Sequence, residues 1–312
     1  MMKSKFLYII ILLFSSCYRV EDKLEPNISY NLDEKFFQSL QNPSTPLTDE
    51  EKKEDFAKEF IIAKRFAKEM DLYRAITNFK RAEILADSQN CRFLEIQYNI
   101  LLCYFLAKKY EDVILTFEKS SLENVDKSFY AFEDLLIILY ESYRELKNEE
   151  KTAKILEILQ ENFPDMEKNI VLSTALLEGD LYKIKNIADE KKDQTLNVML
   201  KDYQKTKKSI KTAQLLNIIP GAGYLYIGQK KSAFTAFTLN SLFIYAAYEC
   251  FARGWKAAGI ITLSFEAGWY FGGIYGAGEE AKFYNERIYE NYNSQKMQKD
   301  KQFPVFMLKY GF

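Results

Sequence analysis

The fold is decided by residues 63–82, which read AKRFAKEMDLYRAITNFKRA. A small residue and an aromatic lie three positions apart, and alanine, aromatic and alanine then follow at spacings of four and three. The members of this set are Ala63, Phe66, Ala75, Phe79 and Ala82. Such spacings put side chains on one face of a helix. The stretch therefore predicts two consecutive helices that pack through small and aromatic side chains.

The same offsets recur twice further along the chain. The second set, shifted by 38 residues, consists of Leu101, Tyr104, Val113, Phe117 and Ser120. The third set, shifted by a further 39 residues, consists of Tyr140, Tyr143, Thr152, Leu156 and Leu159, and Pro164 follows it. One helix pair cannot bury its apolar face alone, so such copies stack on one another. Three matched copies therefore predict a repeat protein.

These offsets and the closing proline resemble the tetratricopeptide repeat. The resemblance implies an all-α fold, a TPR-like helical solenoid whose surface binds a protein or peptide partner. A generic amphipathic helix bundle is the alternative. We assign three repeats to residues 51–165. Thr48 and Glu51 have the spacing of a capping box, which predicts the start of the first helix. Residues 166–211 predict a degenerate fourth helix pair and a capping helix.

The composition argues against an enzyme. The 312 residues include no histidine, which removes the commonest general base and the commonest metal ligand. The net charge of −1 provides no basic face for nucleic acid. We therefore predict a binding protein that is not an enzyme, with no cofactor, no metal site and no nucleic-acid partner.

The N-terminus has the features of an export signal. Two lysines, the apolar residues 6–14 and two serines lead to Cys17. The sequence FSSC at residues 14–17 resembles a bacterial lipobox, which implies that a signal peptide of residues 1–16 is removed and that Cys17 receives acyl chains such as palmitate. An ordinary signal peptide with an incidental cysteine is the alternative. Residues 17–50, interrupted by prolines, predict a flexible tether.

The composition changes at residue 212. The Pro/Gly loop of residues 212–231 contains PGAG at 220–223, which resembles the start of small bacterial two-helix membrane domains. Residues 232–279 hold two apolar runs with one acidic residue each, and about 20 such residues suffice to cross a bilayer. The sequence predicts a transmembrane helical hairpin here. Residues 280–312 predict an amphipathic helix and an aromatic tail that docks on another surface, such as the repeat groove.

Two features of the hairpin are candidate sites. A stripe of small residues at four-residue spacing predicts close packing against the first hairpin helix or against another copy of the chain. The stripe consists of Ser264, Gly268, Gly272 and Gly276. Glu266 lies near the middle of the second run, with Asn240 and Tyr245 at a similar depth on the first. These three form a candidate intramembrane polar site, where Glu266 either handles protons or ions or fixes the helix register.

Together these features predict a membrane-anchored scaffold of the bacterial cell envelope. Its repeats face the periplasm and bind a protein or peptide, while lipid and the hairpin hold the chain to a membrane. In the alternative hypothesis the hairpin carries the function. It self-associates into a transport or pore component, and the repeats serve as the assembly domain. A Glu266→Gln change separates the two hypotheses, because only ion transport requires the carboxyl group.

Overall fold

The structure, a computed structural model, describes residues 20–30, 36, 39–42 and 45–312. Within these ranges the regular elements are helical, and the β pairing consists of one isolated bridge between Gln41 and Tyr310. The all-α prediction is therefore confirmed. The predicted signal peptide and Cys17 lie outside the described residues.

The described helices are numbered here in chain order. They are α1 (Asp55–Lys68), α2 (Leu72–Leu85), α3 (Phe93–Leu106), α4 (Tyr110–Phe117), α5 (Phe132–Glu145), α6 (Glu149–Asn162), α7 (Pro164–Glu178), α8 (Leu181–Glu190), α9 (Gln194–Thr206), α10 (Ile210–Leu216), α11 (Ala222–Ile227), α12 (Lys230–Ala252), α13 (Lys256–Lys299) and α14 (Pro304–Met307). Short 3-10 turns cover Glu51–Lys53 and Ser121–Asn124. Each predicted set has its first two members on one helix and the others on the next, except Ser120, which follows α4 and caps the second 3-10 turn.

The turn inside each of the three helix pairs has the same geometry. One residue with positive φ follows each first helix, and the values are 58°, 55° and 57° at Met70, Lys108 and Lys147. The next residue, which is the N-cap of the second helix, donates its N–H to the carbonyl oxygen of an aromatic residue at 2.9 Å. The three acceptors are Phe66, Tyr104 and Tyr143. The three predicted pairs therefore share one turn geometry.

The same turn also lies between α7 and α8, and further along the chain it recurs between α8 and α9, where Lys192 has a φ of 53° and Asp193 donates its N–H to the carbonyl oxygen of Ala188 at 2.8 Å. Gly179 has a φ of 69°, and Asp180 donates its N–H to the carbonyl oxygen of Ala175 at 3.0 Å. The Asp180 carboxylate then accepts the N–H of Lys183 and caps α8. Pro164, which the pattern placed at the end of the third copy, is the first residue of α7. The residues expected to form a degenerate fourth pair thus share this turn with the other three, and their assignment as a repeat stays a prediction.

Most members of the three sets are enclosed by neighbouring helices. The fully buried members are Ala63, Ala75, Phe79, Ala82, Leu101, Val113 and Leu159. Ser120, Tyr140 and Tyr143 are also buried, and the partly buried members are Phe66, Tyr104, Phe117, Thr152 and Leu156. Small side chains at these positions let the helix backbones approach while the aromatic members fill the remaining space.

The chain divides into two compact units. The repeat unit comprises Ser29–Thr174 together with Ser294–Phe312. The glycine-rich unit comprises residues 20–28 of the described chain together with Ala175–Asn293. The C-terminal tail therefore belongs to the repeat unit, although the glycine-rich segment separates the two in the sequence.

Residues 20–28 pack within the glycine-rich unit. Val20 belongs to a buried cluster whose other members are Ile210, Ala213, Ile227 and Ala281. The Glu25 carboxylate pairs with the Lys282 ammonium at 2.7 Å. The prediction of a flexible tether is therefore wrong for these residues. It considered only the helix-breaking prolines and overlooked the apolar and charged side chains that find partners here.

The predicted hairpin forms two helices, but its second helix is longer than expected. α12 ends at Ala252, Gly254 turns the chain with a φ of 76°, and α13 runs from Lys256 to Lys299. None of the helices in the described part of the chain is both long and apolar enough to cross a membrane. The transmembrane prediction is therefore unsupported. It counted only charged residues, whereas tyrosine, serine, threonine, asparagine and glycine dilute both apolar runs.

Candidate peptide-binding site

The C-terminal tail packs against helices of the repeat unit. The one-turn helix α14 ends at Met307, and the residues that follow it are not helical. The buried side chains of this segment are those of Phe303, Pro304, Val305, Leu308 and Phe312. The repeats therefore hold the aromatic tail as a docked peptide.

Asp134, in the first turn of α5, holds the tail by its backbone. Its carboxylate accepts the N–H of Lys309 at 3.1 and 3.0 Å and the N–H of Tyr310 at 2.8 Å. The Tyr98 hydroxyl donates to the same carboxylate at 3.3 Å. The Asp134 side chain is fully buried, yet each of these hydrogen bonds satisfies an oxygen that burial removed from water. A carboxylate in this position accepts two successive peptide amides.

The protonation of Asp134 is set by opposing effects. Burial raises its pKa to about 6, while the hydrogen bonds from Tyr310, Lys309 and Tyr98 act in the opposite direction. At neutral pH the group is therefore mainly ionised and acts only as an acceptor. An ionised carboxylate suits a site that faces two amide donors and one hydroxyl donor.

Asp134 is expected to make the stability of the repeat unit depend on pH between 5 and 7. Its pKa in the fold lies above the ordinary value of 3.8, so the folded chain binds a proton that the unfolded chain releases. This contribution is fully present at low pH and is lost as the pH rises through about 6. Relative to Asp134→Asn, the wild-type free energy of unfolding should rise by about 1 kcal/mol from pH 7 to pH 5. Denaturation followed by circular dichroism measures this, and parallel pH profiles of the two proteins would contradict it.

Gln41 holds the opposite edge of the tail by a β-bridge. Its N–H donates to the carbonyl oxygen of Lys309 at 3.2 Å, and its carbonyl oxygen accepts the N–H of Gly311 at 3.0 Å. Three consecutive amides, at positions 309 to 311, therefore donate to the repeat unit. This pairing is the addition of an extended peptide to a backbone edge.

Side chains on both sides add contacts to this backbone pairing. The ring of Phe312 stacks on Phe79 with the centroids 6.3 Å apart and the planes at 24°. The ring of Tyr310 meets Tyr130 edge-on, 5.6 Å between centroids. The Lys309 ammonium pairs with the Glu133 carboxylate. We call the surface formed by Gln41, Phe79, Tyr130, Glu133 and Asp134 the docking site.

A second group of contacts holds the N-terminal part of the tail, at Phe303 and Phe306. The ring of Phe303 lies 4.9 Å from that of Tyr30, and the ring of Phe306 lies 5.5 Å from Tyr30 and 5.0 Å from Phe36. Tilted and edge-on aromatic pairs of this kind stabilise a contact beyond the burial of their area. The tail is thus held in two places: an aromatic anchor around Tyr30 and the docking site around Asp134.

The prediction of a Pro/Gly loop over residues 212–231 is only partly right, because α10, α11 and the start of α12 occupy much of this range. The turn that remains is organised by a residue that the PGAG motif did not include. Asn217, only 3% exposed, accepts the N–H of Gly221 and of Gly223, each at 3.1 Å. Its amide group donates to the carbonyl oxygen of Gly273 in α13 at 2.8 Å. Gly221 has a φ of 90°, a conformation that favours glycine. One buried side chain therefore fixes the loop and ties it to the hairpin.

Gly223→Ala is expected to destabilise the glycine-rich unit. A β-carbon at this position would meet the Ala213 carbonyl oxygen, and would lie 2.7 Å from the Asn217 β-carbon and 2.9 Å from that of Ala277. Overpacking of this kind costs about 1–3 kcal/mol. Gly268→Ala is the matched control, because its β-carbon would meet no atom within 4 Å, and a gain of up to about 1 kcal/mol is expected from helix propensity. Tryptophan fluorescence during denaturation measures both, since both tryptophans lie in this unit; equal effects would refute the packing argument.

The candidate polar site is only partly assembled. Asn240 and Glu266 are each 4% exposed, and the Asn240 Oδ1 and both Glu266 carboxylate oxygens have no hydrogen-bond partner among the described residues. Asn240 lines a cavity of about 720 Å³ beside the hairpin, together with residues that include Trp269. Tyr245, in contrast, is exposed and its hydroxyl donates to Glu249 at 3.4 Å. Its assignment to this site is therefore wrong.

The small-residue stripe does not form the contact between the hairpin helices. Ser264, Gly268 and Gly272 are exposed, and only Gly276 is closely covered, by the Tyr224 hydroxyl. Between residues 230 and 272 the buried positions instead recur every seven residues: Ala233, Asn240 and Ala247 on α12, and Gly259 and Glu266 on α13. This heptad spacing is typical of two helices that pack side by side. Contact of the stripe with the first helix is thus wrong, and contact with another copy stays a prediction.

Comparison with protein-family models, with curated proteins and with solved structures finds no match for this chain. Within the described ranges, no group of three or more Cys, Asp or Glu side chains is arranged to hold a metal ion. The functional proposal therefore depends on the geometry of the docking site and on the residues around the glycine-rich hairpin.

Proposed function

We propose that this chain is a membrane-anchored scaffold of the bacterial cell envelope whose TPR-like repeats bind an extended segment of a protein partner. The observation that carries the proposal is the docked tail, in which Asp134 and Gln41 bind peptide backbone. Stacked helix pairs are rigid supports, and rigid supports hold binding groups accurately. The chemistry of the site is recognition, since it has an acceptor for amides and aromatic surfaces but no nucleophile beside a base.

The proposed membrane anchor has two parts. Lipidation of Cys17 supplies the first, and it places the repeats on the periplasmic side. The second is the surface of α12 and α13, which exposes large apolar side chains to the surroundings; among them are Phe234, Phe265 and Trp269. Large apolar side chains exposed in this number favour contact with lipid or with another protein. We assign this surface to lipid, as a second attachment beside the acyl chains of Cys17.

Site-specific photo-crosslinking in intact cells tests the scaffold. A photoreactive phenylalanine replaces Tyr130, at the rim of the docking site, and in a control chain it replaces Tyr182, which is exposed in the glycine-rich unit. The scaffold predicts a crosslinked protein from position 130 but not from position 182, and an added peptide of residues 303–312 should suppress that crosslink. Self-crosslinks alone from position 130 would contradict the proposal.

A second candidate is a self-associated transport or pore component. It is favoured by the open surface at Gly268 and Gly272, where a β-carbon would meet no atom within 4 Å, and by the unpartnered carboxylate of Glu266. Ion flux through vesicles that contain the wild-type chain, lost in Glu266→Gln, would support this candidate. Equal flux in both chains, or none in either, supports the scaffold instead.

A further inference from the structure

The docking site recognises peptide backbone in a fixed register. The amides of Lys309 and Tyr310 donate to Asp134, and the amide of Gly311 donates to Gln41. Any extended peptide offers the same three amides unless one of the residues is proline, which has no N–H. The backbone contacts therefore accept many sequences and exclude proline at three successive positions.

Three side-chain contacts add selectivity to this register. The first position carries a cation that pairs with Glu133, the second an aromatic ring edge-on to Tyr130, and the fourth an aromatic ring stacked on Phe79. The two acidic groups, Glu133 and Asp134, favour a basic residue over an acidic one at the first position. The third position contributes only its backbone to the contacts described above.

The chain's own C-terminus fills this site but is held there by its last four residues only. The aromatic anchor at Phe303 and Phe306 is separate, because it contacts Tyr30 and Phe36 rather than the docking site. Residues 309–312 lie outside the helices and Lys309 is exposed, and segments of this kind open locally at lower free energy than the helices of the core. The last four residues can therefore leave the docking site while the anchor remains in place.

From these contacts we infer that the docking site selects partner segments with a basic residue, an aromatic residue, a residue other than proline and a second aromatic residue in succession, and that such segments compete with the chain's own C-terminus. This inference rests on the proposed function and names the chemistry of the partner. A partner thus has to displace residues 309–312 before it binds, so the tail reduces the affinity for every weaker segment.

Fluorescence anisotropy with synthetic peptides tests the inference on the full chain. The probe is a labelled peptide of residues 307–312, and a second probe is identical except for a methyl group on the tyrosine amide nitrogen. The proteins are the wild type, Phe312→Ala, which weakens the resident tail, and Phe312→Ala combined with Asp134→Asn, which also damages the site. The methylated probe leaves the protein unchanged, so it keeps the test valid if a variant fails to fold.

The expected results follow from the hydrogen bonds to a charged acceptor. Phe312→Ala should bind the unmodified probe roughly tenfold more tightly than the wild type, since displacement of its tail costs less. Methylation of the probe, or the added Asp134→Asn change, should weaken binding roughly ten- to a hundredfold. Equal binding of the two probes would overturn the register, and equal binding by wild type and Phe312→Ala would overturn the competition. Neither result depends on a cellular partner, so the outcome is distinct from that of the crosslinking experiment.

Discussion

An Arg92→Ala chain is expected to lose roughly 3–5 kcal/mol of its free energy of unfolding. The Arg92 guanidinium lies just before α3, is 7% exposed, and pairs with Glu51 at 2.7 Å and with Glu95 at 3.1 Å. Removal of the guanidinium would leave two nearly buried carboxylates without their main partner. Such a loss exceeds that of a surface ion pair, because the remaining charges have no water to replace the guanidinium.

Arg81→Ala is the matched control for this change. Arg81 also lies in the repeat unit and pairs with Glu59 at 2.8 Å, but its side chain is 63% exposed. Exposed pairs contribute about 0–1 kcal/mol, so the control should lose no more than that. Chemical denaturation followed by circular dichroism compares the two variants. Similar losses in both would show that the Arg92 network stabilises the unit no more than a surface pair does.

The ion pairs of Arg92 also predict how the free energy of unfolding of the repeat unit changes in acid. Hydrogen bonds from Arg92 and from Thr48 lower the pKa of Glu51 from 4.5 to about 2. A lowered pKa stabilises the fold above pH 4.5, and this contribution is lost as the pH falls towards 2. Arg92→Ala should therefore remove part of the wild-type loss of stability between pH 4.5 and pH 2.

Local features of the repeat unit are predictable from the sequence because their partners are close in the chain. Thr48 and Glu51 form the predicted capping box, with hydrogen bonds of 2.6 and 3.1 Å between them. The helix pairs likewise depend on offsets of three and four residues that recur after 38 or 39. Repetition strengthens the prediction, since three weak patterns rarely share one spacing by chance.

The docking site could not be predicted in the same way. Asp134 and Tyr310 are 176 positions apart, and no spacing rule connects residues at that distance. In the sequence, Asp134 reads as an ordinary acidic residue in the first turn of a helix, where the helix dipole favours it. Docking of the tail is predictable, because a short aromatic-rich end has little reason to remain in water. The position of the tail against α5 could be found only from the tertiary structure.

In the hairpin, the glycine stripe is the more conspicuous sequence pattern, but it does not predict which residues are buried. The glycine stripe has a four-residue spacing, yet between residues 230 and 272 the buried positions of both helices follow a seven-residue spacing that includes Asn240 and Glu266. The sequence identifies those two residues correctly as buried polar groups. It fails for Tyr245, because equal depth along a helix says nothing about which face a residue occupies. The period of the buried positions shows which face is covered, and between residues 230 and 272 that period is seven residues; a four-residue period of buried positions begins only at Ala277.

Asn217→Ala is expected to cost the glycine-rich unit roughly 2–5 kcal/mol, since it leaves two buried backbone N–H groups without a partner. Those groups are the N–H of Gly221 and the N–H of Gly223. The hydrogen bond to the Gly273 carbonyl oxygen is lost as well, but that oxygen is only partly buried and lies inside α13, where a helical N–H also reaches it. Each unsatisfied buried group costs about 1–3 kcal/mol, and water that enters the loop reduces the sum. The expected loss is therefore larger than that of an ordinary surface substitution.

Two further variants decide whether these hydrogen bonds are the cause. Asn217→Asp keeps the acceptor for both glycine amides but loses the donor to Gly273, so its loss should fall between zero and that of Asn217→Ala. Asn197→Ala, in the same unit, removes only an exposed hydrogen bond from Lys185 and should change stability by about 0.5 kcal/mol or less. Denaturation followed by the fluorescence of Trp255 and Trp269 reports on this unit. The order Asn217→Ala, Asn217→Asp, Asn197→Ala is required, because it is the order in which buried and partly buried hydrogen bonds are lost, and equal losses for the last two would exclude the bond to Gly273 as a tie between loop and hairpin.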